Sequence, residues 1–309
     1  MPHSSGLHHI TAVAGDPQQN YTFYNGLLGL HLVKKTVNYD DPSMYHLYYG
    51  DATGTPGRIL TFFPWSQFKQ GDPARGQAIA VSFSIPTDAL SYWTDYLTNN
   101  GIEFMEPFDR FGHQVIGLQD PDGLHLELIA DPQANDISAQ SSGSIPAEYA
   151  IRGLYGVTLA EENYRPTGQL LSESLGFKEM GRGGDRLLYQ SDNAMGSVVE
   201  IIDKAQLNGR PGKGTVHHVA FRAENEEEQS RISKELTEIG YHLTEVKDRT
   251  YFRSVYFCGP GGILFEIATD GPGFTVDEDA ETLGNTLCLP EDLEEKRTLI
   301  EADLPAFRT

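Results

Sequence analysis

The sequence predicts an α+β fold of four βαβββ modules paired into two domains. Three observations carry this reading. Four short apolar segments open alike, a glycine ends a helix-like stretch at a near-constant distance after each, and a turn followed by an apolar strand closes each unit. A chain of 309 residues also suits two domains of about 150 residues better than one core.

The opening segments are Leu7-His8-His9-Ile10-Thr11, Ile79-Ala80-Val81-Ser82-Phe83, Leu154-Tyr155-Gly156-Val157-Thr158 and Val216-His217-His218-Val219-Ala220-Phe221. β-branched and aromatic residues make each a strand. Helices follow near Asp16-Pro17, Thr87-Asp88, Arg165-Pro166 and Glu224-Asn225. Asp16 and Thr87 are expected as N-caps, and Pro17 and Pro166 suit a first helical turn. The helices end at Gly29, Gly101, Gly176 and Gly240, where glycine can take the left-handed conformation of a C-cap. Counted from the equivalent positions His9, Ala80, Gly156 and His218, these glycines follow after 20, 21, 20 and 22 residues.

Each second half holds strands joined by turns. The last turns are Asp51-Ala52-Thr53-Gly54, Asp120-Pro121-Asp122-Gly123, Asp192-Asn193-Ala194-Met195-Gly196 and Gly259-Pro260-Gly261-Gly262. The closing strands lie at residues 58–63, 125–129, 197–202 and 263–267. Chain order gives an N-terminal domain over 1–135 and a linker over 136–150 containing Gln140-Ser141-Ser142-Gly143-Ser144. A second domain spans 151–270 and an acidic extension 271–309. Within the extension, Pro290 to Ala302 reads as a helix in a solvated, surface-packed tail.

Composition excludes several functions. Apolar residues make up 39% and charged residues 22%, as in a globular protein, and no apolar run reaches the ~18 residues of a membrane span. A net charge of −21 repels nucleic acid and anionic lipid, so neither is expected as a partner. Two cysteines, Cys258 and Cys288, and an N-terminus without a signal-like apolar core point to the cytoplasm.

Alternation along a strand puts Val219 and Phe221 toward the helix and His218 and Ala220 toward the concave face of the sheet. On the closing strand Glu266 shares that concave face. Modules one and four together then offer His9, His218 and Glu266, with Thr61 at the fourth position. Modules two and three offer Glu127 and Glu200 with Ala80 and Gly156, and no histidine. Two imidazoles and one carboxylate with open positions are the ligand set of non-haem Fe(II) oxygenases. Ten histidines produce doublets by chance, but both His8-His9 and His217-His218 fall at the same place in two repeats. The cup without histidines reads as a degenerate copy kept for structure.

With these residues in place, the chain resembles the vicinal oxygen chelate superfamily, which includes glyoxalase I and the extradiol ring-cleaving dioxygenases, over about residues 6–270. Its two domains are then of the glyoxalase/bleomycin-resistance type. The stretches at 6–12, 215–221 and Asp248-Arg249-Thr250-Tyr251-Phe252-Arg253 are similar to the hydroquinone-cleaving branch, the dichlorohydroquinone and methylhydroquinone dioxygenases. Catechol-cleaving relatives usually draw their first histidine from the third module, where this chain has Gly156. The hydroquinone branch draws it from the first module, where His9 stands.

The resemblance implies that His9, His218 and Glu266 bind Fe(II), with zinc, nickel or manganese able to take its place in a purified sample. It places His8, Thr11, His217, Arg249 and Tyr256 around a small aromatic substrate cleaved with dioxygen. A homo-oligomer, a dimer, is expected, although the motifs leave the oligomer open. His8 or His217 would move protons, Tyr256 would hydrogen-bond the bound phenolate, and Arg249 would stabilise negative charge. Strict alternation turns His8 and His217 away from the cup, and either a β-bulge or the twist at the strand start would bring them back toward it.

Two rivals use the same fold. A glyoxalase-like isomerase or lyase would need a second carboxylate where Thr61 stands. A metal-free protein that binds aromatic compounds would line its cup with rings such as Phe62, Phe63 and Trp65, and would have little use for paired histidine doublets.

Overall fold

A computed structural model of the chain describes residues 6–138, 145–206 and 208–309. Module one holds β1 (Leu7–Ala14), α1 (Pro17–Tyr21) continued by a π-helical turn over Thr22–Leu27, β2 (His31–Asn38), β3 (Asp41–Gly50) and β4 (Ile59–Pro64). Module two holds β5 (Gln77–Ile85), α2 (Leu90–Asn99), β6 (Phe108–Arg110), β7 (His113–Gln119) and β8 (His125–Ala130). Module three holds β9 (Gly153–Ala160), α3 (Arg165–Glu173), β10 (Lys178–Gly183), β11 (Arg186–Gln190) and β12 (Val198–Ile202). Module four holds β13 (Thr215–Ala223), α4 (Glu226–Glu238), β14 (Lys247–Asp248), β15 (Arg253–Cys258) and β16 (Leu264–Thr269). The order strand, helix, three strands therefore recurs four times, as the sequence predicts.

Local chemistry explains most boundaries. Asp16 caps α1 by accepting from the Gln19 amide at 2.8 Å, and Asn225 caps α4 by accepting from Glu228 at 3.0 Å. Gly29, Gly101, Gly176 and Gly240 all have positive φ, from 68° to 101°, as helix-closing residues require. Thr87 is not an N-cap. The side chain of Asn135 accepts from its amide at 3.0 Å, and α2 begins only at Leu90.

The strands form two eight-stranded sheets, ordered β14-β15-β16-β13-β1-β4-β3-β2 and β10-β11-β12-β9-β5-β8-β7-β6. Module one thus pairs with module four, and module two with module three. Each sheet draws strands from both sides of the 136–150 segment, so sheet pairing does not follow chain order. The Gln140–Ser144 stretch expected as a linker lies outside the described residues. What flanks it is packed: Arg152, itself buried, donates to the carbonyls of Ala147 and Ala150, and Tyr149 stacks on Tyr92 at 4.4 Å.

The convex faces carry the core. Val219, Phe221, Phe265 and Ile267 are fully buried with Ile232 and Leu236 of α4, and Phe177 of module three meets Phe221 edge-on at 5.9 Å. Burying side chains of this size stabilises the fold by roughly 1.5–3 kcal/mol each.

The C-terminal extension departs from the expectation of a solvated tail. Leu289, Leu293, Ile300 and Leu304 are buried in the main core, and α5 (Arg297–Asp303) follows a 3₁₀ turn over Glu291–Lys296. Lys34 of β2, fully buried, donates to Asp277 at 2.6 Å and Glu278 at 2.5 Å. The acids are solvated on one side, but the apolar residues between them recur at helical spacing and bury. No helix among the described residues is long and apolar enough to cross a membrane, and Cys258 and Cys288 are free thiols.

Candidate metal centre and substrate pocket

Strand register assembles the site. Tyr256, Glu266, Ala220 and His9 lie in one row across β15, β16, β13 and β1. Ala220 contributes only a methyl to that row and leaves room between Glu266 and His9. His218, two residues back on the same face of β13, leans into this space. A second row of His218, Thr11, Thr61 and Tyr48 runs across β13, β1, β4 and β3.

The result is a buried convergence of three donors. His9 Nε2 and His218 Nε2 are 3.3 Å apart, His218 Nε2 is 2.9 Å from Glu266 Oε2, and His9 Nε2 is 3.5 Å from the same oxygen. Donors on one face of a divalent ion, each about 2.1 Å from it, would be separated by about 3 Å. Glu266 Oε1 accepts from Ser254 Oγ at 2.5 Å, while Oε2 has no hydrogen-bond partner although wholly buried. Burial holds the His9 imidazole well below its ordinary pKa, and burial with the Arg249 charge lowers His218 to about 3, so both rings are neutral. Neutral imidazoles and an unpaired carboxylate oxygen aimed at one point fit a cation.

Both histidine doublets sit on bulges. His8 is the extra residue between the pairs Leu7–Phe221 and His9–Ala220, and His217 the extra residue between Thr11–His218 and Ala12–Val216. The bulge turns each side chain back toward its neighbour: His8 Nδ1 meets His9 Nδ1 at 2.8 Å, and His217 Nδ1 meets His218 Nδ1 at 2.9 Å. We assign the Nδ1–H tautomer to His9 and His218, because it supplies the donor of each contact and frees both Nε2 lone pairs.

The remaining expected residues divide. Tyr256 and Arg249 line the small pocket beside His9 and His218. Arg249 pairs with Asp40 at 3.0 Å and lies 5.5 Å from the centre of the Tyr256 ring. Burial raises the Tyr256 pKa above its ordinary value, which keeps the phenol protonated. The turn that presents Arg249 is strained: Thr250 adopts φ 68°, and the Tyr251 amide reaches back to the Arg249 carbonyl at 2.8 Å. His8 stands behind His9 and outside that pocket, 1% exposed. Thr11 is buried, its hydroxyl 2.8 Å from that of Thr61. His217 exposes its outer edge to a larger neighbouring chamber.

Four contributors escaped the sequence reading. His46 lines the pocket, with Nε2 2.8 Å from Thr61 Oγ1 and Nδ1 2.9 Å from the Tyr48 hydroxyl. Phe252 packs 5.1 Å from the rings of both His8 and His9. Ser254 orients Glu266, and Asp40 holds Arg249 from the β2–β3 turn. A polar residue inside the apolar run Tyr45-His46-Leu47-Tyr48 was the available signal for His46; the other three depend on contacts between distant segments.

The opposite cup is closed by charge. Arg110 pairs with Glu127 and, at 3.2 Å, with Glu200, while Arg186 takes Glu200 at 2.5 Å. Ser82 donates to Glu127 at 2.6 Å. Both carboxylates are neutralised by guanidinium groups, as suits a structural copy. Thr61, where a glyoxalase-like second carboxylate would stand, is spent on Thr11 and His46.

Comparison with known proteins gives consistent results. The family model for the glyoxalase/bleomycin resistance protein/dioxygenase superfamily matches residues 6–128 and 158–267. A Bacillus subtilis protein named as the ring-cleaving dioxygenase MhqO is 42% identical over 98% of this chain and 96% of its own. The chlorohydroquinone/hydroquinone 1,2-dioxygenase of Sphingobium indicum is 33% identical over 94% and 92%. A crystal structure of a Bacillus subtilis protein named as a dioxygenase superposes with a TM-score of 0.96 at 41% identity, covering 100% and 99%. Glyoxalase I of Zea mays shares the fold alone, at a TM-score of 0.62 and 15% identity over 86% and 92%.

Proposed function

The chain belongs to the glyoxalase/bleomycin resistance protein/dioxygenase superfamily, its near-full-length relatives carry the names of ring-cleaving dioxygenases, and we propose that it cleaves the ring of a para-dihydroxy aromatic with dioxygen at a ferrous centre held by His9, His218 and Glu266. The observation that carries the reading is the convergence of those three buried donors, with Glu266 Oε2 unpaired. Fe(II) bound there would supply a Lewis acid for a phenolic oxygen and a redox-active site for dioxygen.

The chain's own groups do the rest. His8 and His217 accept the Nδ1 hydrogens of His9 and His218 and so fix their orientation, as outer partners of ligand histidines commonly do. The protonated Tyr256 hydroxyl is placed to donate to a phenolate oxygen in the pocket. Arg249, held by Asp40, sets a permanent positive charge at its rim. Phe252 gives the ring an apolar face, and Phe63 lines the pocket's other side. His217, reached by solvent at one edge, is positioned to carry protons between solvent and the site.

Two points favour this over the rivals. Thr61 removes the second carboxylate that the isomerase or lyase needs, and two histidine nitrogens meeting one carboxylate, each ring backed by a second histidine, have no use in a hydrophobic trap. The reading extends to a homodimer in the cytoplasm, where two free thiols are at home; light scattering of the purified protein measures the oligomer directly. The activity test is anaerobic loading with Fe(II), addition of a substituted hydroquinone, and then admission of oxygen. Oxygen uptake and a ring-opened product are expected. No uptake across hydroquinones and catechols, with iron bound, refutes the proposal.

A further inference from the structure

The pocket against His9 and His218 has a volume of ≈ 30 Å³, close to the space of one water molecule, whereas a cavity that takes benzene is about 150 Å³. Beside it lies a chamber of ≈ 460 Å³. Asn38 and Phe63 line both, so they form the partition between them. Phe63 is half-buried at the end of β4, with its ring 4.3 Å from His46 on the pocket side and 5.5 Å from His217 on the chamber side.

The chamber has an apolar wall built from Met44, Trp65, Phe68, Val216 and Leu264. Trp65 stacks on Phe68 at 4.6 Å yet stays 41% exposed, at the chamber's mouth. The stacked pair gives an incoming apolar group a broad aromatic surface to pack on. The polar groups of the opposite wall are already engaged. Arg75 is bound to Asn208 and paired with Glu162, and Gln77 Oε1 accepts from the Ala74 amide.

We propose that the ring enters through this chamber, that Phe63 turns aside to join the two spaces, and that the chamber then holds a bulky apolar substituent of the ring. This rests on the ring-cleavage reading and narrows it: the substrates are hydroquinones carrying a group of about the size of tert-butyl or phenyl. Trp65 and Phe68 would set specificity, since they touch the substituent and not the reacting hydroxyls.

Binding is measured anaerobically by titration calorimetry on zinc-loaded protein, with hydroquinone, tert-butylhydroquinone and phenylhydroquinone. Oxygen uptake by iron-loaded protein is recorded in parallel. The wild type is expected to bind the two substituted compounds at least tenfold more tightly than hydroquinone, about the gain from burying two methylenes. In Trp65→Ala and Phe68→Ala, whose thermal melts check folding, that ratio should fall toward one. A ratio near one in the wild type, or one that survives both substitutions, overturns the chamber while hydroquinone turnover leaves ring cleavage standing. If no hydroquinone is bound or consumed, ring cleavage fails and the chamber's assignment falls with it.

Discussion

Ser254 Oγ donates to Glu266 Oε1 at 2.5 Å, both side chains fully buried, and leaves Oε2 free to face His9 and His218. The serine sits on β15 and the glutamate on β16, so the hydrogen bond crosses between neighbouring strands. It fixes which carboxylate oxygen would face a bound metal.

Ser254→Ala should therefore weaken metal affinity by about 10- to 100-fold, the usual effect of removing a group that orients a ligand. Competition with a chelator, under anaerobic conditions, measures it. Ser254→Thr, which keeps the hydroxyl, should restore most of the affinity; an alanine variant with wild-type affinity would show that Glu266 needs no such support.

His9→Ala, His218→Ala and Glu266→Ala should each cut bound iron sharply. Glu127→Ala and Glu200→Ala in the opposite cup should leave it unchanged, because arginines already occupy those carboxylates. Iron analysis after anaerobic loading distinguishes the two sets. Iron retained by all three of the first set would place the metal elsewhere.

Arg249→Lys keeps the charge but loses the planar group that meets Asp40 and lies against Tyr256. We expect kcat/KM to fall by about 10- to 100-fold, some 1.4–2.8 kcal/mol of transition-state stabilisation, with iron content unaltered. Steady-state oxygen uptake with hydroquinone, read beside iron analysis, checks both halves. Unchanged turnover would remove Arg249 from the site's chemistry.

Glu161 gives the fold a pH dependence of its own. It is 1% exposed, its Oε2 has no partner, and burial raises its pKa to about 7 from an ordinary 4.5, against the hydrogen bond from Thr167. The folded state holds this proton where the unfolded chain releases it, so the stabilisation is complete below pH 4.5 and is lost as the pH rises toward and through 7. The loss between pH 5 and pH 8 should be about 2–3 kcal/mol. Urea denaturation at several pH values should show this slope in the wild type and a flatter one in Glu161→Gln. Equal slopes would count against it.

Lys34→Met should destabilise the protein by about 3 kcal/mol at neutral pH, since it leaves Glu278 buried beside Asp277 without a cation. The Lys34 hydrogen bond holds the Glu278 pKa below its ordinary value even against partial burial. This contribution is therefore present above the ordinary carboxylate pKa and is lost as the pH falls through the lowered one. Earlier proteolysis within residues 271–309 of the variant would report the loosened extension; an unchanged melt and cleavage pattern would argue that apolar burial alone holds it.

The repeat was legible because its signals are local. A glycine closing each helix, an asparagine or aspartate before a helix, and apolar strands of constant spacing all act within a few residues. Thr87 misled for the same reason: its N-cap chemistry is sound by itself, but Asn135, 48 residues away, takes its amide. The tail's packing likewise engages a lysine more than 240 residues distant.

His9, His218 and Glu266 could be chosen from the sequence because strand alternation and the repeat put each on a concave face, and the tally then singled out modules one and four. What the chain's residues could not state alone was the order of strands across each sheet. That order makes β13 the neighbour of β1, sets Ala220 as the gap between Glu266 and His9, and bulges His8 and His217 toward their partners. Periodicity is a property of one strand, whereas register belongs to two. Hence the ligand types were visible early, while His46, Ser254, the Arg249–Asp40 pair and the chamber behind Phe63 emerged only when distant strands were brought side by side.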